Sequence, residues 1–180
     1  RIAGLSARIG SDITGRFDGA DVALAAVPLD IREASGAWRF ANGRLALGEA
    51  GFRLEDRADV DRFQPLVSRD GALSLAGNRI SATASLLEPG SSRDVVRAVI
   101  AHDLSSGTGH ADLSVDGLVF DNRMQPDTLT RLALGIVANV RGTVRGHGRI
   151  DWNEADVTST GRFNTDSLDF AAASDHRSAR

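Results

Sequence analysis

The sequence predicts a mainly β protein, a meander of antiparallel strands in a thin, extended sheet, and three observations carry that prediction. Apolar and polar residues alternate with a period of two along much of the 180-residue chain. Turn-forming stretches such as "ANG", "RDG", "EPG" and "SSG" punctuate the alternation. The apolar content is small and aliphatic, with 42% hydrophobic residues but only 5% aromatic, no tyrosine and 19 glycines. A strand sends successive side chains to opposite faces, so each segment has one apolar face, as in antiparallel sheets that bury one side. Small apolar side chains bury little area each, which suits a thin sheet better than a thick globule.

Taken in order, short alternating runs appear at Leu5 to Ile9, Asp12 to Phe17, Trp38 to Leu47 and Phe52 to Glu55. A kink or helical turn is expected between Val60 and Val67, where Pro65 stops any regular element. In "RISATASL" Ile80, Ala82, Ala84 and Leu86 alternate with polar neighbours. "RDVVRAVIAH" fits a helical face through Val95, Val96, Val99 and Ile100, but its β-branched content favours a strand. "GTGHADLSVDG" sets Gly109, Ala111, Leu113, Val115 and Gly117 against His110, Asp112, Ser114 and Asp116. "VRGTVRGHGRIDW", Val140 to Trp152, alternates without a break and would extend roughly 40 Å at the usual strand rise. "DVTSTGRFN" follows in the same style. One segment departs: "QPDTLTRLALGI" has Pro126 at a first-turn position and Leu129, Leu132, Ala133 and Ile136 at helical spacing, which predicts a short amphipathic helix near 126–135 lying on the apolar face.

Composition excludes several classes. With 21 basic and 24 acidic residues the net charge is -3, so the basic surplus that phosphate backbones attract is missing and nucleic acid is not an expected partner. Without cysteine, thiolate metal sites, disulfide scaffolds and cysteine nucleophiles drop out. No run of 18 apolar residues and no signal-like segment occurs, and the sequence opens on Arg1. These features predict an internal fragment of a longer protein, with any anchor and export signal outside it.

The three glycines Gly142, Gly146 and Gly148 invite comparison with a phosphate-cradling loop. A Walker loop or a dinucleotide fingerprint needs a helix directly behind its glycines, whereas here the alternation runs on into Ile150 and Trp152. The glycines then mark either a bend in the sheet or matter lying on its apolar face. His102, His110, His147 and His176 show no metal-ligand spacing, although His110, Asp112 and Asp116 share one predicted polar face. "LEDRADVDRF" reads as a self-neutralising charge run. Arg141, Arg145 and Arg149 predict a ladder facing carboxylates, with an anionic head group the alternative. No catalytic, cofactor or metal residue is expected, and the chain is not expected to be an enzyme.

"GLVFDNRMQPDTLTRLALGIVANVRGTVRGHGRIDWNEADVTSTGRFNTDSLDFAAA", Gly117 to Ala173, together with "WRFANGRLALGEAGFRLED" and "VDRFQPLVSRDGALSLAGNRI", resembles the YdbH family of AsmA-like, TamB-related envelope proteins of Gram-negative bacteria, in its alphaproteobacterial form. The likeness rests on extent rather than on one catalytic motif. It implies an elongated, curled antiparallel sheet laid out as a trough-like meander, a periplasmic trough that is part of an inner-membrane-anchored protein and conducts phospholipids between inner and outer membranes. Residues 1–173 are then a single segment of that longer sheet, and 174–180, where the family usually continues into a further glycine-rich strand region, a truncated or non-native tail. Its implied partners are phospholipid acyl chains, neighbouring sheet segments of the same full-length protein, and both membranes through regions outside this chain. Older labels in the family imply dicarboxylate transport instead, and a structural or interaction β-sandwich is the other alternative. On the trough reading the acyl-facing residues are Ile80, Ala82, Leu86, Leu113, Val115, Val119, Val140, Val144, Ile150 and Trp152, with Leu129, Leu132 and Ile136 of the helix packing on that face.

Overall fold

A computed structural model describes residues 1–25, 27–60, 62–130 and 137–172. They form ten strands: β1 (Gly4–Ile9), β2 (Ile13–Ala23), β3 (Leu29–Ala41), β4 (Arg44–Asp56), β5 (Leu66–Ala76), β6 (Arg79–Leu87), β7 (Asp94–Asp103), β8 (Thr108–Phe120), β9 (Val137–Trp152) and β10 (Val157–Ala172). All belong to one sheet, ordered β1 to β10 as in the sequence, every neighbour antiparallel, with β1 and β10 at the two edges. "RDVVRAVIAH" is strand β7, as its β-branched residues predict.

Residues paired across an antiparallel ladder point to the same face. One transverse row runs unbroken through all ten strands: Ile9, Ile13, Phe40, Leu45, Leu75, Ile80, His102, Gly109, Trp152 and Val157. Two residues further in, Ala7, Gly15, Trp38, Leu47, Leu73, Ala82, Ile100, Ala111, Ile150 and Ser159 make a second row. Both rows lie near one set of hairpins and define a single apolar face. The opposite face carries the charges: Arg149 bonds Asp112 on β8 at 2.8 Å and Asp151 at 3.0 Å, and Arg145 pairs with Asp166 on β10.

Beyond these rows the registers shift. β2 slips between Phe17 and Ala20, β3 between Arg32 and Ala37, β4 between Leu47 and Ala50, β5 between Val67 and Ala72, and β8 between Asp116 and Leu118. Backbone in the left-handed region marks four of the five, with φ of 60° at Gly19, 54° at Glu33, 52° at Glu49 and 137° at Gly117. Each bulge inserts one residue and bends its strand. Each also reverses the parity of the residues beyond it, and the apolar positions change parity with it: Leu45 and Leu47 give way to Ala50, Phe52 and Leu54. The row Val22, Ile31, Leu54, Leu66 therefore stays in register beyond the seam.

A cluster of buried apolar side chains lies at the strand ends opposite the two rows. Leu118, Phe120, Met124 and Val140 are buried together, with Val95, Val115, Leu129 and Val144 packed against them. Met124 is 0% exposed. It belongs to the β8–β9 connection, whose described residues 121–130 lie over this end as a strap. The Leu129 carbonyl accepts from the Gln64 amide at 2.6 Å and the Thr130 hydroxyl donates to the Arg62 carbonyl at 2.8 Å, both in the β4–β5 connection.

Two expectations are corrected. The amphipathic helix near 126–135 is replaced, among the described residues, by a single 3-10 turn at Pro126–Thr128. Its physical cause is the strap: the Leu129 carbonyl that would continue a helix is taken by Gln64, and the Thr130 hydroxyl is engaged by Arg62. Leu132 and Ile136 lie outside the described residues, as does the tail 174–180. Val119 is the second correction. The bulge at Gly117 turns it away from the apolar face to pair with Thr143, 42% exposed, and gives its expected place to Leu118 and Phe120. Of the kink or helical turn expected between Val60 and Val67, the described residues show the kink, bends at Val60, Arg62 and Phe63, and no helical turn.

Candidate functional site

The candidate site is the apolar face itself. Ile80, Ala82 and Leu86 on β6, Leu113 and Val115 on β8, and Val144, Ile150 and Trp152 on β9 occupy it through their cross-strand pairs. Val140 and Leu86 lie on it too but are only 3% and 6% exposed, Val140 being sealed in the core beneath the strap. Leu129 packs on that core from the strap. Near the two rows the face is open. Ile9 is 82% exposed, Phe40 44%, Val157 44% and, further along β10, Phe163 58%.

Aromatic rings on this face are seated on glycines. Trp38 lies across Gly15, where an added Cβ would stand 2.7 Å from the indole, and Trp152 lies across Gly109 at 2.6 Å. Phe163 covers Gly146 at 2.5 Å, Phe52 covers Gly71 at 2.9 Å and Phe17 approaches Gly36 at 3.2 Å. A glycine without a side chain lets a ring lie flat on the neighbouring strand, so five of the nine aromatics spread over the sheet instead of standing up from it. The three glycines of "VRGTVRGHGRIDW" thus do different work. Gly142 has φ of 142°, Gly146 seats Phe163, and Gly148 meets only ordinary van der Waals neighbours at 3.5 Å and beyond.

His102 is the site residue that sequence reasoning missed. Histidine spacing tests it only as a metal ligand, yet its even parity with Ala98 and Ile100 places it on the apolar face, between Ile80 and Gly109. Its Nδ1 accepts a hydrogen bond from the Trp152 indole at 3.1 Å, and the two rings are 6.0 Å apart, tilted by 32°.

Elsewhere the charged groups neutralise one another. His110 lies 3.7 Å from Asp112, whose carboxylate is held by Arg149. The run "LEDRADVDRF" is more ordered than a solvated patch: the Asp56 side chain is 1% exposed, and Arg62 donates to both its oxygens at 2.8 and 2.9 Å. Those bonds hold the Asp56 carboxyl well below the usual carboxylate range. Arg141 donates to Asn122 at 2.9 Å, so two of the three β9 arginines face carboxylates and the third an amide. No grouping of three or more His, Asp or Glu able to hold a metal ion occurs among the described residues. No described helix is long and apolar enough to cross a membrane.

A sequence model of one protein family, YdbH-like, described as "Intermembrane phospholipid transport protein YdbH", matches residues 3–175. No curated protein and no solved structure gives a match.

Proposed function

The chain belongs to the YdbH-like family, whose description is intermembrane phospholipid transport, and from that premise we propose that its apolar face carries phospholipid acyl chains. The observation that bears the weight is the pair of transverse rows, continuous across ten strands and not covered by a second layer among the described residues. A dry β-sandwich needs a second sheet about 10 Å away to bury such a face. Phe40, Val157 and Ile9 instead remain in solvent.

Burying a methylene is worth about 0.8 kcal/mol, so an acyl chain rarely leaves a membrane for water. On a continuous apolar face, each methylene that leaves contact is matched by one that enters it, and the chain slides with little net change in free energy. The lipid-facing set under this proposal is Ile80, Ala82, Leu113, Val115, Val144, Ile150 and Trp152. Leu86 and Val140 act as packing beneath it, and Val119 points to the opposite face. The head group stays at the solvent-exposed edge. In the wider reading, the chain is one segment of a periplasmic bridge between the two membranes, with membrane attachment supplied by other regions of the full-length protein.

Mass spectrometry of the purified chain tests this by identifying co-isolated phospholipid. Photo-crosslinkers at Leu113 and Ile150 are expected to capture acyl chains while those at Arg145 and Asp112 do not. Equal capture from both faces would overturn the proposal.

A further inference from the structure

His102 stands out in the outermost row because nine of its ten members offer a lipid only hydrocarbon, bare backbone or an indole whose proton is already engaged. We infer that His102 is the polar anchor of this face, donating a hydrogen bond from Nε2 to an acyl-ester or phosphate oxygen of a bound lipid. The inference rests on the acyl-chain reading above and adds to it a residue that distinguishes a lipid from plain hydrocarbon.

Three observations support it. By accepting the Trp152 indole proton at Nδ1, the neutral ring must carry its own proton on Nε2, so the tautomer is fixed as a donor there. Nε2 itself has no protein partner among the described residues, in a row otherwise apolar. A polar group on such a surface costs free energy unless something bonds to it, water when the groove is empty and a lipid oxygen when it is filled. Finally, the position is right for amphipathic cargo. His102 is the penultimate residue of β7, in the apolar row nearest the hairpin tips, while Ile100, Ala82, Ala111 and Ile150 continue the apolar face inward. A head group at the rim and tails directed inward match that gradient. Trp152 is held flat by Gly109, where a Cβ would come within 2.6 Å of the ring, so the indole that sets the tautomer is itself immobilised.

The test loads the chain from vesicles of phosphatidylethanolamine and phosphatidylglycerol, and in parallel with hexadecane and with dioleoylglycerol. His102→Phe restores an apolar side chain to the row, and His102→Gln keeps an amide donor near the Nε2 position. Retention of phospholipid is expected to fall about 2- to 12-fold in His102→Phe, the worth of one neutral hydrogen bond, to recover in His102→Gln, and to stay unchanged for hexadecane in all variants. A parallel loss with dioleoylglycerol assigns the contact to an ester oxygen, and a loss confined to phospholipid assigns it to the phosphate. In the unmodified chain, the ¹⁵N resonance of His102 Nε2 is expected to shift on phospholipid loading and not on hexadecane loading. Unchanged phospholipid retention in His102→Phe, or an equal loss of hexadecane, would overturn the anchor while leaving the groove intact. Failure of the unmodified chain to load either probe would overturn the groove reading and the anchor together.

Discussion

At the scale of single residues, glycine has distinct roles that a single strand can test. Gly146→Ala drives a methyl against the Arg162 carbonyl at 2.4 Å and Phe163 at 2.5 Å, whereas Gly148→Ala meets nothing nearer than 3.5 Å. Overpacking of this kind costs about 1–3 kcal/mol, so urea unfolding should show Gly146→Ala clearly destabilised and Gly148→Ala close to the parent. Equal midpoints for the two variants would mean that the β10 backbone at Arg162 and Phe163, as well as the Phe163 ring, readily gives way. Parity makes the apolar side of β9 legible from sequence alone, but not what each glycine does there, because the ring that fills Gly146 arrives from β10, 17 residues later. Acid sensitivity is also a residue property. The Arg93 guanidinium, bonding Asp121 at 2.6 Å, lowers that carboxyl from its usual 3.8 to about 2. A depressed carboxylate stabilises the fold above its unfolded pKa and loses that contribution as pH falls from about 3.8 toward 2. Asp121→Asn should therefore flatten the acid limb of a stability-against-pH curve in that window, with little change in its slope above pH 5.

At the scale of elements, the strap and the bulges explain where sequence reading succeeds and fails. The Gln125 side chain replaces a missing strand partner for Val140: its amide donates to the Val140 carbonyl at 2.9 Å and its oxygen accepts from the Val140 amide at 2.8 Å. Gln125→Ala leaves both backbone groups of a 3% exposed residue unpaired, at a cost of about 1–3 kcal/mol. Hydrogen exchange should show faster turnover at the Val140 amide, with Ile150 unaffected; uniform protection would show that the strap is held by its apolar contacts alone. The helical spacing of Leu129, Leu132 and Ile136 gives no sign of this, because the bond that ends the turn is a tertiary one from Gln64. Long, bulge-free stretches such as Val144 to Trp152 read correctly from period two. β4 reads as two fragments, since its parity reverses at Glu49, and a simple count through β8 runs one residue out of phase after Gly117, which puts Val119 on the wrong face. A one-residue insertion is invisible to a parity count unless the apolar residues on both sides of it are followed separately.

At the scale of the whole molecule, both tryptophans lie on the apolar face, Trp38 on β3 and Trp152 on β9, which makes them native reporters of its occupancy. Phospholipid with brominated acyl chains is expected to quench each of them in the corresponding single-tryptophan variants, Trp152→Phe and Trp38→Phe. Quenching of neither would place the acyl chains elsewhere. The sheet order, identical to chain order, has a further consequence for how damage spreads. Each strand's principal contacts are with the strands before and after it, so stability is close to a sum of neighbour terms, as in repeat proteins. A defect in β2 should be felt in β1 and β3 and fade before β9, and hairpins could be exchanged between relatives as units. The strap is the exception to this locality. By joining the connection after β8 to the connection after β4, it makes β5 to β8 a cooperative block with one shared fate inside an otherwise linear array.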